Sequence, residues 1–349
     1  MDRKAMYKLS YGLFVLTARE DEKDNGCIIN TAIQAASEPN QLSICVNKAN
    51  YTHDMIVRTG KFTVSVLSQN AQFELFKHFG FQSGRDTNKF ETFEKCSRGE
   101  NGIYYHNSAL TNGAGDNSYR YAGASNSVNN YICLGSDEAI CPDANLFRII
   151  GVFGDKTKVI RAKSVGNQKW HTSESNTWSS SSLNTYLNGE YLTSLGTIAE
   201  KIATTTWKVG GGSWSSIGTS VPKTAYQNEV GSSASSTTYG AKIGLMYVSD
   251  YYYSASPSAW TLVGYKGSDA TKDYRAAKTI NWLYLGSKEW TISRVSDETF
   301  SAFIVDGSGH VFSYSVNFSN FAVRPSFNLL SSITYVSGSG SAVDPILIN

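Results

Sequence analysis

The stretch Asn47-Lys48-Ala49-Asn50-Tyr51-Thr52-His53 has the residue types that most plainly suit binding chemistry. A phosphate is held by backbone N–H groups, hydroxyls and a cation near the start of a helix, where unpaired amides and the helix dipole favour negative charge. Asn47, Asn50, Tyr51 and Thr52 bring polar side chains and Lys48 brings the cation. A helix is expected to start at Thr52 or His53 and run to Arg58, with Thr59-Gly60 as its C-cap. Taken by themselves, Lys48 reads as a solvated surface lysine and His53 as a helix-start residue rather than a catalyst.

The elements expected to position this stretch are β-rich. Apolar or alternating runs at Leu13–Thr17, Cys27–Ile33, Leu42–Val46 and Phe62–Leu67 read as strands, with turn signals at Asp24-Asn25-Gly26 and Glu38-Pro39-Asn40. A second short helix is expected over Ala71–His78, ending before Gly80. Together these suggest a small β-barrel with helices at its rim. Further along, strand-like segments recur at Leu146–Val152, Lys158–Ala162, Lys242–Val248, Trp290–Ile292, Ala302–Val305 and Val323–Leu329. Helices are expected at Trp178–Gly189 and Ser194–Ile202.

The chain has 349 residues, a length that suits two domains. All seven tryptophans lie beyond Tyr105, and charged residues thin out there too. We therefore expect one domain over 1–105, a polar connector over 106–118 and a second domain over 119–349. A formal net charge of +2 offers no electrostatic case for nucleic acid or an anionic membrane. No apolar run is long enough for a membrane-spanning helix. The start, Met1–Ala18, only faintly imitates a secretion signal and reads instead as a first strand, so the default expectation is a soluble, cytoplasmic protein.

Cys27, Cys45, Cys96, Cys133 and Cys141 lack the paired spacing of a zinc site, and no metal is expected. Cys133 and Cys141 stand eight residues apart, close enough for a local disulfide in an oxidising compartment; two buried thiols are the alternative. Beyond residue 118, Tyr, Trp, Ser, Gly and Asn are dense and charges few. That composition suits a recognition surface of rigid aromatics and adaptable polar groups, and equally a β-rich domain with an aromatic core.

The run NGCIINTAIQAASEPNQLSICVNKANYTHDMIVRTGKFTVSVL, 25–67, and its continuation FELFKHFGFQSGRD, 73–86, resemble the flavin reductase family with its FMN-binding split-barrel fold. The resemblance implies that the loop of Asn47, Lys48, Asn50, Tyr51, Thr52 and His53 cradles the FMN phosphate. It also implies that Asn30, Thr31 and Ala32 lie along the isoalloxazine ring, and that Arg85 sits near the flavin or a nicotinamide donor. Family members continue past the point where this chain changes character, at Asn101–Tyr105, so a truncated barrel is expected. Its open edge would need cover from a second copy in a homodimer or from the C-terminal domain.

YRYAGASNSVNNYICLGSDEAICPDANLFRIIGVFGD, from Tyr119, then WSSSSLNTYLNGEYL, LGSKEWTISR (285–294) and VRPSFNL (323–329) together resemble the variable proteins of diversity-generating retroelements. Those have a C-type-lectin-type fold related to the formylglycine-generating enzyme. The resemblance implies framework at the last two motifs and exchangeable, ligand-contacting side chains between them: Val295, Asp297, Phe300, Phe303, Asp306, His310, Phe312, Tyr314, Asn317 and Phe318. An upstream patch with Lys272, Asp273 and Tyr274 belongs with them. Phe300, Phe312, Tyr314 and Phe318 read equally as core strand residues, and His310 as a contact rather than a metal ligand.

The expectation is thus an α+β, β-rich chain: a truncated split β-barrel followed by a C-type-lectin-like domain. Its leading role is a variable protein presenting its C-terminal surface to a protein or other ligand. The alternative is an NAD(P)H:FMN oxidoreductase with an accessory binding or sensor domain.

Overall fold

Asp21, with a φ of 53°, turns the chain so that β1 (Phe14–Glu20) folds back on β2 (Lys23–Ile29). Asp tolerates this left-handed conformation better than most residues. The computed structural model describes residues 12–21, 23–67, 71, 73–90, 102–136, 138, 140–263, 278–318 and 320–348, and divides the chain into two compact units, Met1–Lys95 and Cys96–Asn349.

In the first unit β1 lies between β2 and β5 (Thr63–Val66) in an antiparallel sheet, and β3 (Ala32–Ser37) pairs with β4 (Asn40–Ile44) in a separate hairpin. Leu16, Cys27 and Ile29 form its small core. No closed barrel is present among the described residues. Ile33, Leu42 and Val66 are exposed on the strands of this unit. α1 (Tyr51–Thr59) ends where Gly60, at a φ of 66°, turns its N–H back to Ile56 O at 2.8 Å. α2 is Phe73–Gly80.

The expected turn at Asp24-Asn25-Gly26 is instead the interior of β2. Gly26 is there because the Phe79 ring lies 3.0 Å from where a Cβ would stand, and Asn25 is there because its amide bonds to α1. Both residues have packing reasons that mimic a turn signal.

The second unit starts with β6 (Ile103–Tyr105), which pairs antiparallel with β7 (Tyr119–Tyr121). The expected connector over 106–118 is therefore the loop of a hairpin inside this unit. His106 is fully buried at its head and accepts from Ala114 N–H at 3.1 Å; burial pulls its pKa down to about 3. Polar composition hid this, because the loop is anchored by side-chain hydrogen bonds rather than by apolar periodicity.

The large sheet runs onward through β8 (Tyr131–Cys133), β9 (Leu146–Phe153) and β10 (Lys156–Arg161). Short β11 (Asn167–Gln168) and α3 (Ser182–Tyr186) follow; Ser181 caps α3, accepting from Asn184 N–H at 3.1 Å. A π-helical turn over Leu187–Tyr191 then leads into α4 (Leu192–Ser194), while the stretch expected as a helix at Ser194–Ile202 is a 3-10 turn over Gly196–Lys201. β12 (Thr205–Lys208) pairs with β13 (Thr238–Ala241), separated by α5 (Pro222–Glu229). The expected strand at Lys242–Val248 is only the two residues of β14 (Ile243–Gly244), because α6 (Val248–Tyr253) begins there, with Glu229 accepting from the Val248 and Ser249 N–H groups at 2.9 and 2.8 Å.

A second sheet joins β11 to β15 (Glu289–Arg294), β16 (Ser301–Val305), β17 (Val311–Ser315) and β18 (Phe321–Ala322), in the order β11-β18-β15-β16-β17. β19 (Ser326–Leu329), β20 (Tyr335–Ser337) and β21 (Ile346–Ile348) return to the large sheet, where β19 pairs with β10 and β14. Six tryptophans are almost wholly buried between these layers, so the aromatic enrichment read from composition is mostly core. Cys133 and Cys141 form a disulfide, resolving the pair of alternatives in its favour.

Candidate functional site

β2, the start of α1 and the turn after α2 enclose a cleft of about 220 Å³ in the first unit. Asn25, Cys27 and Ile28 come from β2, Ala49 to Thr52 from the head of α1, and Phe79 to Gly84 with Lys89 from the far side. Lys89 is 3 % exposed, and its Nζ donates to Gly26 O at 2.8 Å and to Phe79 O at 3.0 Å. An ammonium has three donors, so one remains for a ligand. Burial draws the Lys89 pKa downward.

Asn25 Nδ2 donates to Thr52 Oγ1 at 2.9 Å, and its Oδ1 is sealed from solvent with no hydrogen-bond partner. Such an acceptor is costly unless a donor completes it. Gly84 is required opposite: a Cβ there would stand 2.1 Å from Asn25 Oδ1. The Asn50 side chain makes no cap to α1, which leaves the Tyr51 and Thr52 amides to face an anion, while His53 N–H donates to Asn50 O at 2.9 Å. The Cys27 thiol is pushed up by burial and is a poor nucleophile.

Outside the cleft, the Tyr51 ring is met by Lys23 Nζ at 4.6 Å, Arg85 at 5.3 Å and Arg58 at 5.9 Å. Arg85 pairs with Asp54 at 2.5 Å, and Arg58 with Glu20 at 2.5 and 2.7 Å. His53 and then Arg85 hold the Asp54 carboxyl below its usual range, and Arg58 does the same for Glu20.

Of the ten positions expected to bind a nucleotide, Asn50, Tyr51 and Thr52 line the cleft. His53 and Arg85 stand beside it through Asp54. Asn47 shapes the approach to α1, its Oδ1 accepting from Ala49 N–H at 3.0 Å, while Lys48 is exposed. Asn30, Thr31 and Ala32 do not line the cleft; Thr31 Oγ1 donates to Asn30 Oδ1 at 3.2 Å. The cation at the cleft is therefore Lys89, not Lys48. Asn25, Gly84 and Lys89 also line the cleft and carry no local signal in the sequence, since they come from three separate segments joined only by tertiary structure.

In the second unit, the residues expected at an exchangeable surface divide by burial. Phe300, Phe312 and Phe318 are 46, 40 and 72 % exposed, Asp297 is exposed, and Asp306, Tyr314 and Asn317 are half-buried. Val295, Phe303 and His310 are buried, which removes them from any contact surface. β16 has both faces covered, with Trp214 stacked on Phe303 at 5.8 Å, and Asp306 N–H donates to His310 O at 2.8 Å to close the hairpin that encloses His310. Lys272, Asp273 and Tyr274 lie outside the described residues.

The description "Flavin reductase like domain" matches residues 6–111, and "Domain of unknown function (DUF6273)" matches residues 154–331. The chain belongs to the DUF6273 family. The DUF6273 span takes in β10 to β19, which is the whole of the second sheet and of the β12–β13 pair and part of the large sheet. The N-terminal unit is flavin reductase-like. Over 90 residues the chain is 40% identical to the high molecular weight rubredoxin of Moorella thermoacetica, covering 26% of this chain and 39% of that protein. Over 94 residues it is 39% identical to the ferric-chelate reductase (NAD(P)H) of Archaeoglobus fulgidus, covering 27% and 56%. The chain thus spans about half or less of the length of these curated relatives. A flavoredoxin from Methanosarcina acetivorans aligns with a TM-score of 0.23 at 23% identity, over 27% of this chain and 46% of that one. No helix among the described residues is long and apolar enough to cross a membrane.

Proposed function

We propose that the N-terminal unit binds FMN in the cleft at Asn25, Thr52 and Lys89 and serves as a flavin-dependent oxidoreductase module using NAD(P)H. The observation that supports this is the meeting of a buried ammonium, an unsatisfied amide oxygen and an uncapped helix start within one cleft. The donors suit a phosphate. At about 220 Å³ the cleft takes part of a nucleotide, so the remainder would extend past Tyr51. FMN supplies hydride and electron transfer; the chain binds and orients it. Lys89 and the Tyr51 and Thr52 amides hold the anionic end, Thr52 fixes the Asn25 amide, and Arg85, paired with Asp54, lends positive charge beside the cleft. The name of the Archaeoglobus relative suggests a ferric chelate as one such acceptor. A second copy is the natural cover for the open sheet. The purified protein is expected to be yellow, or to quench FMN fluorescence on titration and then oxidise NAD(P)H; colourless protein that takes up no FMN overturns the reading.

The exposure of Phe300, Phe312 and Phe318 favours a second role, in which a C-type-lectin-like C-terminal unit displays a ligand-contacting, exchangeable surface. Sequencing the locus across sibling isolates is expected to show replacements gathered at these three positions and at Asp297, sparing Val295, Phe303 and His310. An even spread of changes would defeat that role.

A further inference from the structure

Tyr51 lines the cleft and also a second, open groove of about 480 Å³, which it shares with Glu20, Asp21, Lys23 and Asn88. The tight turn from β1 to β2 builds one lip of this groove: Glu20 stands opposite Lys23 in the antiparallel register, and Asp21 holds the left-handed φ of 53° between them. Three cations gather round the Tyr51 ring, whose electron-rich faces attract them. Arg58 is committed to Glu20 and Arg85 to Asp54, but Lys23 makes no ion pair with a described residue, and its ammonium stands 4.6 Å from the ring centroid on an exposed side chain. Asp21 is exposed too, and of its oxygens only the backbone one is taken by a described residue, accepting from Arg19 Nε at 3.2 Å. Asn88 Oδ1 accepts from Phe90 N–H at 3.2 Å, which leaves the Asn88 amide N–H groups to the groove.

A free ammonium, a free carboxylate and an amide beside an aromatic wall match a phosphorylated nucleoside: a cation for the diphosphate, an acceptor for ribose hydroxyls and a donor for the base. We propose that this groove docks the adenosine diphosphate half of NADH, with Lys23 on the diphosphate, Asp21 on the ribose hydroxyls and Asn88 on the base, and that it selects NADH over NADPH. Tyr51 borders both spaces, so a donor seated here lies beside a flavin in the cleft, and its role as donor rests on that reading of the cleft. Selection follows from the charges. The diphosphate uses the Lys23 ammonium and the two arginines are already paired, so the 2′-phosphate of NADPH brings further negative charge beside the Asp21 carboxylate with no described cation of the groove left to meet it. A volume of about 480 Å³ suits half of a dinucleotide rather than the whole.

Calorimetric titration of the full chain with ADP-ribose, and separately with ADP-ribose carrying a 2′-phosphate, tests this without any turnover, while FMN is titrated in parallel by fluorescence. ADP-ribose is expected to bind saturably and about tenfold more tightly than its 2′-phosphate form. Lys23→Ala should weaken ADP-ribose about tenfold, as loss of one hydrogen bond to a charged group does. Asp21→Asn, which keeps a residue tolerant of the left-handed turn, should narrow the preference between the two ligands. Both side chains are exposed, so melting temperature and FMN affinity should stay at wild-type values in each variant. With FMN taken up, ADP-ribose that does not saturate, equal or tighter binding of the 2′-phosphate form, or unchanged affinity in Lys23→Ala overturns the groove assignment and leaves the cleft reading standing; a wild type that takes up no FMN overturns both.

Discussion

Lys89→Met is expected to weaken FMN binding about 100-fold, or roughly 2.7 kcal/mol, while leaving riboflavin binding little changed. The methionine keeps most of the volume but removes the ammonium that sits between Gly26 O and Phe79 O. If the third donor meets the phosphate, its loss falls on the nucleotide and not on the vitamin. Fluorescence titration of both ligands against wild type and variant measures the ratio. A parallel loss for FMN and riboflavin would assign Lys89 to holding the strand and turn together, and a wild type that does not discriminate would remove the phosphate from this cleft. Because burial lowers the Lys89 pKa, FMN affinity should also fall at alkaline pH before an exposed lysine would titrate.

Glu289→Ala should destabilise the C-terminal unit by about 3–5 kcal/mol, the range for stranding one member of a buried ion pair. Arg324 donates to Glu289 from Nε at 2.7 Å and from a terminal nitrogen at 2.8 Å, and both residues are nearly inaccessible. Burial raises the Glu289 carboxyl and Arg324 opposes it; with the glutamate gone, the Arg324 guanidinium is left buried without its counter-charge. In thermal denaturation the loss corresponds to roughly 6–20 °C. The pair Glu289→Leu with Arg324→Met should recover much of it, since an apolar replacement of both partners leaves no charge unpaired. A single variant that melts within a degree or two of wild type would show that the pair is not a support of the fold.

This pair also shows what was legible in the sequence. The motifs containing Glu289 and Arg324 read as framework; Glu289 lies on β15 opposite Ala322 of β18 in parallel register, and Arg324 stands in the link from β18 to β19, which crosses to the large sheet. Local signals such as the α1 cap at Gly60, the strand at Leu146 and the helix starting near Ser181 were readable because each depends on adjacent residues. What was not readable depends on distant partners. Asn25 and Gly26 looked like a turn until Thr52 and Phe79 explained them, and Lys89 had no local mark of a binding residue. Periodicity could not decide which aromatics of 295–318 face water: Phe303 and Phe312 lie on neighbouring strands, and Trp214, from far upstream, covers the first while touching the second edge-on at 5.5 Å.

The hairpin of β6 and β7 carries a consequence for how this chain can be taken apart or recombined. Residues 102–111 match the reductase-like description by sequence, yet Ile103, Tyr104 and Tyr105 give their backbone ladder to Tyr121, Arg120 and Tyr119. A cut placed at the compositional seam would strip the large sheet of a border strand and uncover His106 and the Arg120–Asp116 pair, which is joined at 2.5 Å. A swap cassette for the C-terminal unit must therefore carry ten or so residues that, by ancestry, look like its neighbour's.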